Sequence, residues 1–279
     1  MKNILILLTL IIYPFISFTQ KRFYIPSAYQ ISDFDNKKEI SLSIAKGNGY
    51  DANFSYSFSK HFYSLFAYGI NNWYEERSTI LSCYGIYNNN ASFSAQFGYY
   101  KKINKPWMGK LEVYLGYSKN KIDNYWDFID TNRPDPATAQ FTYGKFNSLF
   151  LGSNLITQNQ VVEFSFGFRL SYYKYDTLSF YDNASFNYHP ISTVKNYYGV
   201  ATELIQGLGL QHKSFKLLLQ GGISIPITYP YAEQTDAQFL NNGIYITTHK
   251  EKLPNYGSMI FRVSIQCNLK MSKNKNKNH

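Results

Sequence analysis

Few residues in this chain could do chemistry, and their spacing is poor for it. His212-Lys213-Ser214 sets an imidazole two residues from a hydroxyl. A His activates a Ser only within hydrogen-bond reach and correctly oriented, with an acid as third partner. Here the pair falls in a tight turn between two alternating segments, and we read it as a turn. The five histidines, His61, His189, His212, His249 and His279, share no His-x-x-x-His or Glu-x-x-His spacing, so no metal site is expected. Asp127, Asp130, Asn132 and Asp135 carry oxygens suited to Ca²⁺, but their spacing is not that of an EF-hand loop. Pro134 and Pro136 make that segment a stiff surface turn. A Gly-x-Ser-x-Gly elbow and a Gly-x-x-x-x-Gly-Lys-Ser/Thr phosphate loop are both missing from the sequence. The expectation is a protein with no catalytic residue, metal or cofactor.

A second set of charged residues is organised by a period. From about Ile40 to Leu269, short segments alternate apolar and polar residues and stop at turn residues. Val162, Phe164, Phe166, Phe168, Leu170 and Tyr172 fall on one side of one segment. Glu163, Ser165, Gly167, Arg169 and Ser171 fall on the other. A helix, with its period of 3.6, cannot sort residues this way, whereas a strand does. The same alternation separates Glu112 from Leu111 and Val113, Lys216 from Phe215 and Leu217, and Arg262 from Phe261 and Val263. It also sets Glu203 against Val200, Leu204 and Leu208. With the apolar side in lipid, Glu112, Glu163, Arg169, Glu203, Lys216 and Arg262 line the interior of a closed wall. An Arg or Lys near mid-membrane on the lipid face would cost about 2–4 kcal/mol, so their common side supports this registration. Three acids against three bases in a narrow interior must pair. They either fill and rigidify the lumen or line a polar pore. Inward Gly98, Gly116, Gly167 and Gly222 leave space for water, or for the large inward Tyr114 and Tyr173.

The elements that position these charges are ten wall strands, at about 39–47, 51–59, 61–72, 90–101, 109–123, 141–155, 161–175, 197–211, 214–226 and 256–269. Short turns alternate with long connections at 73–89, 124–140, 176–196 and 227–255; the first connection, near Gly47-Asn48-Gly49, is short. Outer-membrane barrels keep short turns inside and long loops outside. The expected fold is therefore all-β, a transmembrane antiparallel up-and-down β-barrel of about ten strands. Residues 78–88 read as an extension of the second outer loop. Twelve strands, using also 239–248, is the alternative. Trp73 and Trp126 after outward-ending strands, and Trp107 in an inner turn, are the expected interface anchors. Aromatic loops at Trp73-Tyr74 and Tyr229-Pro230-Tyr231 could grip sugars or a partner protein.

The bulk numbers agree with export and lipid. Residues 1–19 read as a signal peptide, with Lys2 before an apolar run from Ile4 to Ile16. Residues 20–38 read as a periplasmic lead-in, with a small plug in the barrel mouth as the alternative, 39–270 as the barrel and 271–279 as a basic periplasmic tail. After residue 19 no apolar run is long enough for a helical span, and a membrane protein without helices must close as a barrel. Aromatics make up 19% of the chain, with 27 Tyr and 22 Phe, as interface girdles demand. The formal charge of +10 falls to +9 without Lys2. Lys270, Lys273, Lys275 and Lys277 hold four of those charges near the C-terminus. Lipid or lipopolysaccharide phosphate suits this surplus better than nucleic acid, which an exported chain rarely meets. Cys83 and Cys267 fall near opposite rims, so no disulfide is expected.

Three stretches carry a resemblance: Arg22-Phe-Tyr-Ile-Pro-Ser-Ala-Tyr29, Tyr56-Ser-Phe-Ser-Lys-His61 and Phe97-Gly-Tyr-Tyr-Lys-Lys102. With the layout of most of the mature chain, they resemble outer-membrane β-barrel proteins common in Bacteroidota. The resemblance implies an outer-membrane barrel. It implies no catalytic residue, because that group shares no assigned activity. The function expected is a structural or surface-binding barrel with a side-chain-filled lumen. The alternatives are a narrow channel for small polar solutes or ions, and a lipid-modifying enzyme using His212 and Ser214. The expected partners are outer-membrane lipid and lipopolysaccharide, and an unknown extracellular ligand held by the loops.

Overall fold

A strand in lipid has no water to satisfy its edges, so the wall strands must pair on both sides. In the computed structural model they do. The structure describes residues 34, 37–47, 49–78, 83–105, 108–129, 140–158, 161–181, 191–228, 231–240, 243–252 and 258–270. The strands are β1 (Glu39–Gly47), β2 (Gly49–Ser57), β3 (Phe62–Ser78), β4 (Cys83–Lys105), β5 (Met108–Ile129), β6 (Gln140–Gln158) and β7 (Val162–Tyr181). They continue as β8 (Ile191–Lys195), β9 (Tyr198–His212), β10 (Phe215–Pro226), β11 (Tyr231–Leu240), β12 (Gly243–Lys252) and β13 (Ser258–Lys270). β1 to β7 pair in sequence, β7 pairs with β9, then β10, then β13, and β13 returns to β1. Every pairing in that ring of ten is antiparallel. Each of the ten expected wall strands is one of them.

The wall is tilted. Directly opposed residues run Ser57, Tyr63, Gly98, Tyr114, Gly152, Arg169, Glu203, Ser224, Ser258. This row begins at the short-turn end of β2 and ends at the opposite end of β13. Such a stagger is what closure of a barrel requires.

Above the lipid the structure departs from the expected long loops. β3 and β4 stay paired out to Ser78 and Cys83, and β5 and β6 out to Trp126 and Gln140. Cys83, opposite Ile129, and Cys267, opposite Leu42 and Phe215, therefore lie at opposite ends of the wall. Trp73 and Trp126 lie within these strands and not after them; Trp107 lies outside the described residues. β8 and β9 follow one register along β7, separated at Asn196, which takes a left-handed φ of 54°. β11 pairs with β8 as β10 pairs with β9, so β10–β11 rises as one line and β12–β13 descends as the next. Residues 239–248, the alternative extra strand, belong to this hairpin, and the membrane ring stays at ten. The upper wall is an eight-strand collar, β12-β11-β8-β7-β6-β5-β4-β3. It is open above the short β1–β2 hairpin. Gly49 makes that hairpin end low: its φ is +136°, and a Cβ there would overlap the backbone of Ile70. A bulge on β7 leaves Asp176 unopposed by β6 and keeps Tyr175 and Leu178 both facing inward.

The outward face is apolar across the ring: Ile44, Phe66, Phe97, Leu115, Leu149, Phe166, Leu208, Leu217 and Phe261 are all exposed. A band this continuous is the lipid-facing surface of a membrane barrel. Leu115, 59% exposed at mid-strand, tests it. Leu115→Arg should lower unfolding stability in lipid bilayers by about 2–4 kcal/mol. Measured by denaturant titration in vesicles, an unchanged midpoint would remove this face from lipid.

Candidate functional site in the barrel lumen

The tilt and pairing place all six expected interior charges inside. Glu112, Glu163 and Glu203 are fully buried, and Arg169, Lys216 and Arg262 are nearly so. Arg169 and Glu203 are directly opposed on β7 and β9. Arg169 Nε donates to Glu203 Oε2 at 2.6 Å, and Ser171 Oγ donates to Oε1 at 3.0 Å. The guanidinium also lies over the Phe150 ring, 5.2 Å from its centroid. Lys216 Nζ sits 2.6 Å from each carboxylate oxygen of Glu163.

The third pair differs from a simple match within the six. Arg262 turns to Asp51, its Nη2 donating to Oδ1 at 2.7 Å, while Nη1 donates to Gln220 Oε1 at 2.9 Å. Glu112 accepts from Asn154 Nδ2 at 2.9 Å. Buried Glu39 and Lys110 also join the interior. Asp51, Glu39 and Lys110 lie at strand ends, where alternation has few neighbours to establish it. The signal was still present, since Tyr50 and Leu111 beside them face outward.

Four inward glycines hold rings, and inward Gly222 instead lies against Leu204 and Ile205. A Cβ on Gly98 would overlap the Tyr63 ring, one on Gly116 the Phe150 ring, and one on Gly152 the Tyr114 ring. Gly199 lies under Tyr173 in the same way. In each case the ring belongs to the residue opposite on the next strand. A residue without a side chain lets a ring cross the lumen against the backbone. Tyr114 and Phe150 meet edge to face, 6.3 Å apart, within a cluster with Ile156, Ile205 and Leu218. Towards the collar Phe146, Tyr173, Tyr175, Leu178 and Tyr197 form another cluster. At the short-turn mouth Phe34 packs on Tyr63 and Tyr100, at 5.7 and 6.1 Å. Phe34 belongs to the expected lead-in, and it is buried.

The wall of β1, β2 and β13 is different. Many of its inward side chains are short and polar: Ser41, Ser43, Asn53, Ser55 and Ser264. Beside them, with Gln266 and Arg262, is a cavity with room for about one water. Its outer end meets Asp51–Arg262, below the opening in the collar.

The other candidate residues are scattered. His212 and Phe215 are opposed across the Lys213-Ser214 turn at the short-turn end, with Lys213 at φ 54°. His61 Nδ1 lies 3.2 Å from the Tyr100 carbonyl. His249 is exposed on β12. His189, His279, Asp130, Asn132 and Asp135 lie outside the described residues, as do residues 1–19 and 271–279.

No family model and no curated protein matches the chain. Among solved structures it is similar to the translocator domain of autotransporter NalP from Neisseria meningitidis, at 11% identity and TM-score 0.41, over 83% of this chain and 86% of that one. It is also similar to a major outer membrane protein from Thermus thermophilus, at 10% identity and TM-score 0.38, over 83% of this chain and 99% of that one.

Two outcomes follow from the interior. Arg169→Ala leaves Glu203 buried without its guanidinium and should destabilise the barrel by about 3–5 kcal/mol. Adding Glu203→Gln should recover part of that loss in equilibrium unfolding; no recovery would mean the pair is not coupled. Gly152→Ala should cost about 1–3 kcal/mol through the Tyr114 ring. In a Tyr114→Ala background the same change should cost much less, and strict additivity of the two would refute the ring-on-glycine contact.

Proposed function

We propose that this chain is an outer-membrane barrel closed in its resting form, with a structural or surface-binding role carried by the outer collar. One observation supports this above others: the lumen is crossed by buried ion pairs and by rings lying on glycines. An open pore needs a continuous file of water, and packed rings at several levels interrupt it. The reading assigns no catalysis. His212 and Ser214 flank a turn at the end opposite the collar, and their hydroxyl and imidazole have no acid from the same motif.

The polar wall of β1, β2 and β13 favours one second reading, a narrow path for water or small ions. Its gate would be Asp51–Arg262. The test is single-channel recording of the folded protein in a planar bilayer, with insertion confirmed by faster gel migration before heating. The closed reading expects a quiet bilayer. Discrete steps in the wild type would replace it with the channel reading. Arg262→Ser should then favour cations and Asp51→Ser anions, and equal selectivity in the two variants would place the path elsewhere.

A further inference from the structure

The interior charges are paired, but a group of outward charges is not. Lys119 and Lys121 on β5, Lys145 on β6 and Lys174 on β7 point away from the lumen. Lys121 is directly opposite Lys145, and Asn147 links the level of Lys119 to that of Lys174. Like charges directly opposed on one sheet face repel. Lys121 is relieved by Asp123, at 3.0 Å. Among the described residues Lys119, Lys145 and Lys174 have no ion-pair partner. Among the described side chains of β5, β6 and β7, the outward acids are Asp123 and the bulge residue Asp176, so on these three strands four bases face two acids.

The height of the group matters as much as its charge. Immediately below it, towards mid-membrane, Tyr117 and Tyr172 stand level with Leu149 between them, all exposed. Tyr117 Oη donates to Asn147 Oδ1 at 2.8 Å, so the phenol reaches up into the polar level. Below those come Leu115, Leu151 and Leu170. The sequence of levels is aliphatic, then tyrosine, then lysine. That order follows the change from acyl chain to headgroup in a leaflet. A fixed anion at the lysine level is therefore a headgroup phosphate.

We propose that Lys119, Lys121, Lys145 and Lys174 form a binding site for the phosphate groups of a phosphorylated lipid in the outer leaflet, its acyl chains lying on the apolar wall beneath. The site rests on the outer-membrane reading and names its partner by chemistry. Two or more phosphates on one headgroup fit better than one, because the lysines are spread over three adjoining strands. Electrostatic attraction to a membrane anion is gained per lysine and is weakened by salt.

The probe is bisphosphorylated lipid A in detergent micelles, with the folded full chain, followed by thermal unfolding and direct binding. The wild type should bind and be stabilised, more weakly as salt rises. Lys145→Ser with Lys174→Ser should weaken binding roughly thirtyfold. Arg at both positions should retain it. Lys60→Ser with Lys101→Ser, at the short-turn end, should bind as the wild type does. Heat-modifiable migration confirms that each variant is folded. Equal binding by the Ser variant and the wild type would overturn the site, as would equal binding of dephosphorylated lipid A. Stabilisation by inorganic phosphate alone would also overturn it, by making the ligand a free anion and not a lipid. None of these outcomes depends on whether the barrel conducts, so the site and the closed-lumen reading fail separately.

Discussion

The absence of hydrogen-bonding partners in lipid governs the rest of this structure. A backbone N–H or C=O facing hydrocarbon has nothing to bond except another strand. The ten-strand ring meets that demand by returning from β13 to β1. Closure brings tilt, and tilt carries one row of opposed residues from the inner end of β2 to the outer end of β13. Where lipid ends, the demand ends too. The collar keeps eight of its strands paired and leaves a gap above β1 and β2. Its edges at β12 and upper β3 meet water, which satisfies them.

Closure also creates an interior of limited width that must be filled. For Tyr63, Tyr114, Phe150 and Tyr173 the glycine opposite the ring supplies the room it needs. The charges follow the same logic in electrostatic form. A lone buried ion would cost several kcal/mol, so Arg169, Lys216 and Arg262 each lie on a carboxylate. The Arg169 site joins both devices, because its guanidinium lies on the ring that covers Gly116. Removing material from one level of the lumen would therefore disturb electrostatics and packing together.

The ten membrane strands were legible because lipid on one side and a packed lumen on the other write a period of two. The period fades where both faces meet water. Asn71-Asn72-Trp73-Tyr74-Glu75-Glu76-Arg77 has no apolar side, yet it stays paired with β4. Such stretches look like loops because backbone pairing leaves no pattern in the sequence. The sides of the six interior charges were readable, but the partner of Arg262 was not. Asp51 follows the β1–β2 turn, and its distance from Arg262 in sequence is 211 residues. Pairing across the closure of a barrel leaves no local trace. The bulge at Asp176 was hidden for a related reason: it corrects the register of one neighbour, β6, while the register with β8 and β9 runs straight through.

Charge in this chain is handled in two ways, and the difference bears on where function lies. Inside, Arg169, Lys216 and Arg262 each lie on a carboxylate. Such groups are fixed, and fixed groups neither attract solutes nor release them readily. On the outer wall above the tyrosines, Lys119, Lys145 and Lys174 have no ion-pair partner among the described residues. Like charges set side by side on one sheet face repel, and in the proposed site a lipid phosphate offsets that repulsion. The paired lumen charges serve stability, and the proposed lipid site draws on the outward lysines instead.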